Sequence, residues 1–379
     1  MQKTSLKVSF FARSEVAATA GSPRAVNKAD RPQYYYLFLY HCVFSMMPSA
    51  SSLVKKTVTL LNGVEMPLLA LGTGHVVTAD KPDRDAPEGF AGFAPERTYH
   101  QMQLALEAGV RSFDTALIYR TEKAVGHLLG NWWADGKLEK RSDVWITTKI
   151  YNCRQNERAF ASTQCARHFD KTSEQITDEL RGHFETSLQN LGVGYVDLML
   201  LHWPSSPGEG NPTINRQHRL DAWKVLEHYY RLGFCRAIGV CNFSVAHLKQ
   251  LQEDGATITP MVNQMEASVI IQQTDIRQYC QEQGVVPIAY SVLRGLGGDM
   301  PDTLRELAAS KQKDPGQIAF RYLLQHGYAV LFLTCTQKRM ISNANVFDFE
   351  LSDDEMKALD ALNDNSSTGW GLPRPDDCE

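Results

Sequence analysis

Several local signatures of common chemistries are missing from this sequence of 379 residues. It has no HExxH for a zinc protease, no Walker A loop for an NTPase and no GxSxG elbow for a hydrolase, and no metal is expected. The nearest glycine string, Gly72-Thr73-Gly74, lacks the third glycine of a dinucleotide fingerprint, which disfavours a Rossmann cofactor site. The eight cysteines (42, 153, 165, 235, 241, 280, 335 and 378) form no CxxC pair and no secreted disulfide framework. They read as reduced thiols in a cytosol-like compartment, so a cytoplasmic location is expected. A basic excess is also missing: a net charge of -4 and a pI near 6.3 give nucleic acid no clustered positive face. The most apolar stretch, Tyr34-Tyr35-Tyr36-Leu37-Phe38-Leu39-Tyr40, is too short to span a bilayer, and neither a nucleic-acid nor a membrane partner is expected.

What is present is ordinary for a protein with a large core, 43% hydrophobic and 22% charged. The length fits two domains, or one (β/α) barrel carrying extra segments at its ends. Residues 1–52 differ from the rest, being rich in Ser, Ala, Arg and Lys up to Asp30 and then apolar. Residues 1–45 fit an organelle-targeting peptide, an extension, or a gene start set too early, with Met46 or Met47 as the true beginning. The sequence leaves those three open, and the fold is read from residues 53–379.

From Thr57 the pattern becomes regular. Val58-Thr59-Leu60 and Met66-Pro67-Leu68 flank Asn62-Gly63, the strongest short-range signal for a hairpin. A first strand is expected near Leu69, then strands over 110–114, 144–149, 195–202, 235–240, 258–264, 285–290 and 329–333. Between them amphipathic helices are expected over 96–108, 122–129, 173–190, 217–232, 245–253, 275–283 and 315–325. Strands alternating with helices in this way predict a closed (β/α)8 TIM barrel with an N-terminal β-hairpin. The alternative, an open doubly wound sheet, gathers its ligand groups at one switch point. Here nearly every strand ends in polar or aromatic residues: Asp114, Lys149, His202, Cys241-Asn242, Asn263-Gln264, Tyr290 and Thr334. Only a ring of strands brings so many ends together.

Side chains alternate along a strand, so Ser112 and Asp114 share one side, as do Thr147 and Lys149 on the next strand. Opposite charges near a desolvated barrel mouth pair, because isolating either costs several kcal/mol or shifts its pKa until it neutralises. An Asp114–Lys149 ion pair is therefore expected. Carbonyl reduction by hydride transfer needs a general acid for the nascent alkoxide, and a tyrosine beside an ammonium, which lowers the phenol's pKa from about 10, can serve. Tyr119, just past the Asp114 strand, can turn back over the rim, and His202 can donate to the carbonyl oxygen. Singly, each has a bland reading: a helix-capping Asp, a Lys in a structural pair, a core His, a surface Tyr. Together they describe one reaction.

At this point the sequence resembles the aldo-keto reductase family, from Thr57 to about Leu362. The motifs run in order. Leu61-Asn62-Gly63-Val64-Glu65-Met66-Pro67 is similar to the family's opening hairpin, followed by Leu71-Gly72-Thr73. Ala105-Leu106-Glu107-Ala108-Gly109-Val110-Arg111-Ser112-Phe113-Asp114-Thr115-Ala116 then leads to Tyr119, Glu122 and Val125-Gly126. Ile146-Thr147-Thr148-Lys149 resembles the lysine strand and Asp197-Leu198-Met199-Leu200-Leu201-His202-Trp203-Pro204 the histidine strand. Ile238-Gly239-Val240-Cys241-Asn242-Phe243, Asn263-Gln264, Ala289-Tyr290-Ser291 and Asn345-Val346-Phe347-Asp348-Phe349 complete the series.

The resemblance implies a catalytic tetrad of Asp114, Tyr119, Lys149 and His202, with Tyr119 as the acid. It also implies NADPH lying across the barrel mouth, Asn242 and Gln264 at the nicotinamide amide and Tyr290 against the ring. Thr73, Asp114, Cys241, Ser291, Leu293 and Thr334 complete the implied cofactor contacts, and Arg339 and Asn343 hold its phosphate end. The family's last strand usually ends in Lys-Ser; here Leu333-Thr334 stands there. The expectation is NADPH preferred by a narrower margin than usual, with NADH open as an alternative. Cys241 replaces a common Ser, exchanging a good donor for a weak thiol. Gly74 replaces an aromatic, which is expected to widen the substrate pocket. Its other walls are expected from Tyr119, His202, Tyr151 and Trp203, with the C-terminal Trp370 a further candidate. The polar loop over 152–172 is longer than the family's and is expected to bear on substrate choice or partners. The expected partner is a small-molecule carbonyl compound, and the expected state a monomer or weak homo-oligomer. A nicotinamide-binding regulatory or structural subunit is the second reading; a barrel hydrolase, which needs two rim carboxylates, is a distant third.

Overall fold

The computed structural model describes residues 56–74, 95–150, 171–204, 212–293 and 300–364. The leader and its division from the rest near residue 52 lie outside the described residues. Strands β1 (Thr57–Thr59) and β2 (Glu65–Pro67) pair antiparallel, with Val58 opposite Met66. Their turn follows the Asn-Gly chemistry: Gly63 adopts φ 80, and Asn62 Oδ1 accepts from Val64 N at 3.2 Å. Asn62 Nδ2 also donates to Arg236 O at 2.8 Å, which fastens the hairpin beside the start of a barrel strand.

Eight parallel strands then close into a barrel in the order β10-β3-β4-β5-β6-β7-β8-β9, as the alternation predicts. They are β3 (Leu69–Gly72), β4 (Ser112–Asp114), β5 (Trp145–Ile150), β6 (Val196–Leu201), β7 (Cys235–Cys241), β8 (Val262–Glu266), β9 (Val286–Tyr290) and β10 (Ala329–Phe332). Every residue of β5 and β6 is buried, because one strand face lines the barrel and the other is covered by helices. The helices are α1 (Pro95–Glu107), α2 (Glu122–Ala134), α3 (Ser173–Leu191), α4 (Pro212–Arg231), α5 (Val245–Glu253), α6 (Thr274–Glu282), α7 (Asp302–Lys311), α8 (Pro315–Gln325), α9 (Gln337–Ala344) and α10 (Asp353–Asp360). Among the described residues no helix is long and apolar enough to cross a membrane.

The local logic is clearest in α3. Thr172 and Gln175 form a reciprocal capping box at its start, and Gly192 ends it in the left-handed region at φ 63. Its buried Ile176, Leu180 and Phe184 recur every fourth residue, and Phe184 stacks on Tyr229 of α4 with ring centroids 4.0 Å apart. Three stretches depart from expectation. Residues 258–261 form no strand: Glu227 Oε1 accepts from the N–H groups of Thr257 at 2.6 Å and Ile258 at 2.7 Å, and Pro260 has no N–H to give a ladder. Conversely, α7 and α10 were not expected. Each is short and buries little, chiefly Leu304 and Ala308 in α7 and Leu359 in α10, although α10 opens on a capping box between Ser352 and Glu355.

The end of the barrel where the strands begin is held by charge. Asp197, on β6, is 1% exposed and accepts from Arg141 Nη2 at 2.8 Å, Arg236 Nη1 at 2.8 Å and Ile146 N at 2.9 Å. Removing the carboxylate leaves two guanidinium groups and a backbone N–H facing a void. Asp197→Ala is expected to destabilise the barrel by about 3 kcal/mol, measured as a shift of the urea unfolding midpoint. An unchanged midpoint would show that the two arginines are satisfied by water alone.

Candidate active site

The opposite end carries the polar strand ends. Asp114 pairs with Thr147 across the β4–β5 ladder, so Lys149 stands two residues farther along β5, on the same side. Its ammonium bonds Asp114 Oδ1 and donates to Thr115 O at 3.0 Å. The other Asp114 oxygen accepts from Gln264 Nε2, on β8, at 2.9 Å. Lys149 is 0% exposed and Asp114 3%, so the ion pair lies inside the barrel.

Tyr119 reaches this pair from a single 3-10 turn, Leu117–Tyr119, closed by Tyr119 N donating to Ala116 O at 3.0 Å and by Arg120 at φ 56. The Lys149 ammonium sits 5.1 Å from the centroid of the Tyr119 ring. The ring of His202 meets it edge-on at 5.6 Å. His202 follows β6 and extends the ladder by donating its backbone N–H to Ile150 O at 2.9 Å. The four side chains named from the sequence therefore converge.

Their proton affinities follow from burial and from Lys149. Burial pushes the Tyr119 phenol up to about 12, while Lys149 acts the other way. The expected lowering is thus present as a contribution, but desolvation outweighs it and the phenol keeps its proton. Burial pulls the Lys149 ammonium down, yet Asp114 beside it outweighs that, and its proton is held more tightly than in an ordinary lysine. Burial, and then the charge of Lys149, hold His202 well below the usual imidazole range, so it is neutral. Burial also raises the Cys241 thiol.

The remaining rim groups are bound to one another. Tyr290 OH donates to Asn242 Oδ1 at 2.8 Å, and Asn242 Nδ2 donates to His202 O at 3.0 Å. Cys241 Sγ lies 3.7 Å from Gln264 Oε1, a thiol donor where the family commonly has a hydroxyl. Asn242 and Ser291 both adopt the left-handed region, at φ 63 and φ 58, a cost concentrated where two strands end at the rim. Thr73 turns its hydroxyl to Asp114 O at 3.1 Å and to Thr121 at 3.2 Å. Trp203 is 8% exposed, next to His202.

Farther round the rim, Leu293 leans over Gly316 and Asn343 is buried near the same glycine. A Cβ on Gly316 would stand 3.4 Å from Leu293 Cδ1 and 4.0 Å from Asn343 Oδ1. Arg339 is exposed in the first turn of α9, and Thr334 Oγ1 accepts from Thr336 N at 3.3 Å. Leu333 is 47% exposed and leans toward Gly72. Tyr151, Trp370 and most of the 152–172 loop lie outside the described residues; Thr172 at the loop's end caps α3.

Gly74 corrects an expectation. A Cβ there would come within 2.8 Å of Tyr119 Cε2, so the space left by the missing aromatic is taken by the Tyr119 ring. Three roles escaped the sequence. Glu122, buried behind β5, accepts from Thr148 Oγ1 at 2.6 Å and Asn190 Nδ2 at 3.0 Å, fixing the strand from the face opposite Lys149. Asn263 holds the segment after β7 by donating to Phe243 O at 2.9 Å. Glu266 ends β8 as a second rim carboxylate, missed because that strand was expected to stop at Gln264. For Glu122 the available signal was a carboxylate one helical turn before the buried Val125.

The Aldo/keto reductase family model matches residues 69–364. Glyoxal reductase of Bacillus subtilis is 34% identical over 329 residues, covering 86% of this chain and 98% of that protein. NADPH-dependent codeinone reductase 1-5 of Papaver somniferum is 31% identical, covering 80% of this chain and 88% of its own length. Among solved structures, an aldo-keto reductase of Bombyx mori in complex with NADP has a TM-score of 0.66 at 28% identity, covering 82% of this chain and 94% of that one.

The electrostatics are checked without turnover. In an NMR titration the His202 imidazole is expected to stay neutral between roughly pH 6 and 8. Lys149→Met removes one of the two causes of its depression, so the His202 titration is expected to move upward. A wild-type midpoint near the ordinary value, or no shift in the variant, contradicts this assignment.

Proposed function

The chain belongs to the aldo/keto reductase family, and from that premise we propose that it reduces an aldehyde or ketone to an alcohol with NADPH, Tyr119 delivering the proton. The observation that carries this reading is the buried Lys149–Asp114 pair with the rings of Tyr119 and His202 set over it. NADPH-dependent reduction named for the codeinone relative and the NADP held by the silkworm structure support the choice of cofactor.

The donor set suits a nicotinamide dinucleotide. Asn242 and Gln264 present amides that can match a carboxamide, and Tyr290, half-buried, offers a flat face at the end of β9. At the other end, Thr336 makes no side-chain cap bond to α9, which leaves the first-turn N–H groups for an anion, with Arg339 beside them. Asn343, Leu293 and Gly316 would seat the adenosine side.

Bound NADPH supplies the hydride that ends on the carbonyl carbon. As the C=O π pair moves to oxygen, the Tyr119 O–H donates its proton there, and the C–O bond becomes that of an alcohol. The phenol suits this task because burial keeps it protonated at neutral pH, while the alkoxide is a stronger base than the phenolate left behind. Lys149 stabilises that phenolate, and Asp114 holds Lys149 in place. His202, neutral, donates a hydrogen bond to the carbonyl oxygen and orients it without competing for the proton.

Tyr119→Phe is expected to bind NADPH as the wild type does while kcat for a small carbonyl panel falls by on the order of a thousandfold. Undiminished turnover would remove Tyr119 as the acid, and a wild type inactive on every carbonyl would favour a binding subunit. Cofactor selectivity is a separate measurement: kcat/KM is expected to favour NADPH, and equality or preference for NADH would contradict the phosphate-end assignment.

A further inference from the structure

Leu333 stands at the end of β10, where the resembled family usually has a lysine, and the fold brings a positive charge to the same turn from a distant part of the chain. Arg97 lies in the first turn of α1 and is separated by 238 residues from Cys335, to whose sulfur its Nε donates at 3.1 Å. Cys335 is the residue just before Thr336, the N-cap of α9. The guanidinium is thus held at the β10–α9 turn, two residues beyond Leu333.

This placement is built by the helix rather than by a chance rotamer. Gln101, one turn after Arg97 on the same face of α1, donates Nε2 to Gly72 O at 3.1 Å and hooks the helix to the end of β3. Thr98, Met102 and Ala105 are buried along the adjoining face. Since β3 is hydrogen-bonded to β10, a side chain one turn N-terminal of Gln101 reaches the end of β10. Leu333, leaning toward Gly72, lies on this same seam. Around the turn stand Arg97 from α1, Lys338 and Arg339 from the first turn of α9, and the helix start without a side-chain cap.

We propose that Arg97 is a phosphate-binding residue of this enzyme, supplying from α1 the charge that Leu333 no longer supplies from β10. The inference rests on the reading that the dinucleotide lies across this rim. The shared ligand chemistry is a phosphate ester, either the 2′-phosphate of NADPH or the pyrophosphate that NADPH and NADH have in common. A guanidinium suits both, since its planar fork pairs with two phosphate oxygens.

The test is isothermal calorimetry of the full chain with NADP+ and with NAD+. Arg97→Gln keeps a donor for Cys335 and removes the charge; Arg97→Ala removes both. Each is expected to weaken NADP+ binding roughly tenfold or more and to flatten its dependence on salt. If NAD+ binding is unaffected, the contact is to the 2′-phosphate; if NAD+ weakens in parallel, it is to the pyrophosphate. Leu333→Lys in the Arg97→Gln background is expected to restore NADP+ affinity. NADP+ binding by Arg97→Gln equal to wild type overturns the proposal, whether or not the alanine variant folds. A wild type that binds neither nucleotide overturns the cofactor reading itself, a different and separately visible failure.

Discussion

Lys149 and Asp114 form an ion pair inside the barrel, and the chemistry of the rim depends on it. Neither charge is tolerable there alone, because desolvating an ion costs several kcal/mol that only a well-placed partner and further hydrogen bonds offset. Both conditions are met: Thr115 O takes a second proton of the ammonium, and Gln264 donates to the second carboxylate oxygen. The pair then sets its neighbours. Lys149 opposes the upward push of burial on Tyr119 and adds to the downward push on His202. Burial, opposed by Lys149 at the phenol and reinforced by it at the imidazole, leaves a protonated Tyr119 beside a neutral His202.

The ion pair stays where it is because the rim is cross-linked round its circumference. Gln264 on β8 reaches Asp114 on β4, and Asn242 after β7 joins His202 after β6 to Tyr290 on β9. Glu122 braces β5 from behind, and the threonines at 73, 115 and 121 link the ends of β3 and β4. The opposite mouth has a different task. There Asp197 gathers two arginines and Asn62 ties the hairpin to β7, groups that hold the barrel shut and lie on the far side from the candidate site. This division matches the general rule that barrel chemistry sits where the strands end.

Much of this was legible because periodicity is a local property. Short β-rich runs between helical patterns, an Asn-Gly turn and polar residues at strand ends are visible in any linear chain, and they predicted the barrel, the hairpin and the convergence of Asp114, Tyr119, Lys149 and His202. Legibility failed where a segment's partner lies far away in sequence. Residues 258–261 look like a strand until Glu227 takes the N–H groups of Thr257 and Ile258. Glu266 was hidden by a strand boundary, the least sharply encoded feature of an element.

By itself the sequence determined which residues are available and in what order: the alternation that closes the barrel, the acid and base on neighbouring strands, and a leucine, Leu333, where the resembled family usually has a lysine. Only the tertiary structure decided the balance of forces among them. Burial outweighs Lys149 at Tyr119, reversing a shift that the residue types alone predict, because desolvation depends on everything around a group rather than on its neighbours in the chain. The Tyr119 ring fills the space at Gly74, and α1 carries Arg97 to the turn after Leu333, because closing a ring of strands makes neighbours of the first and last.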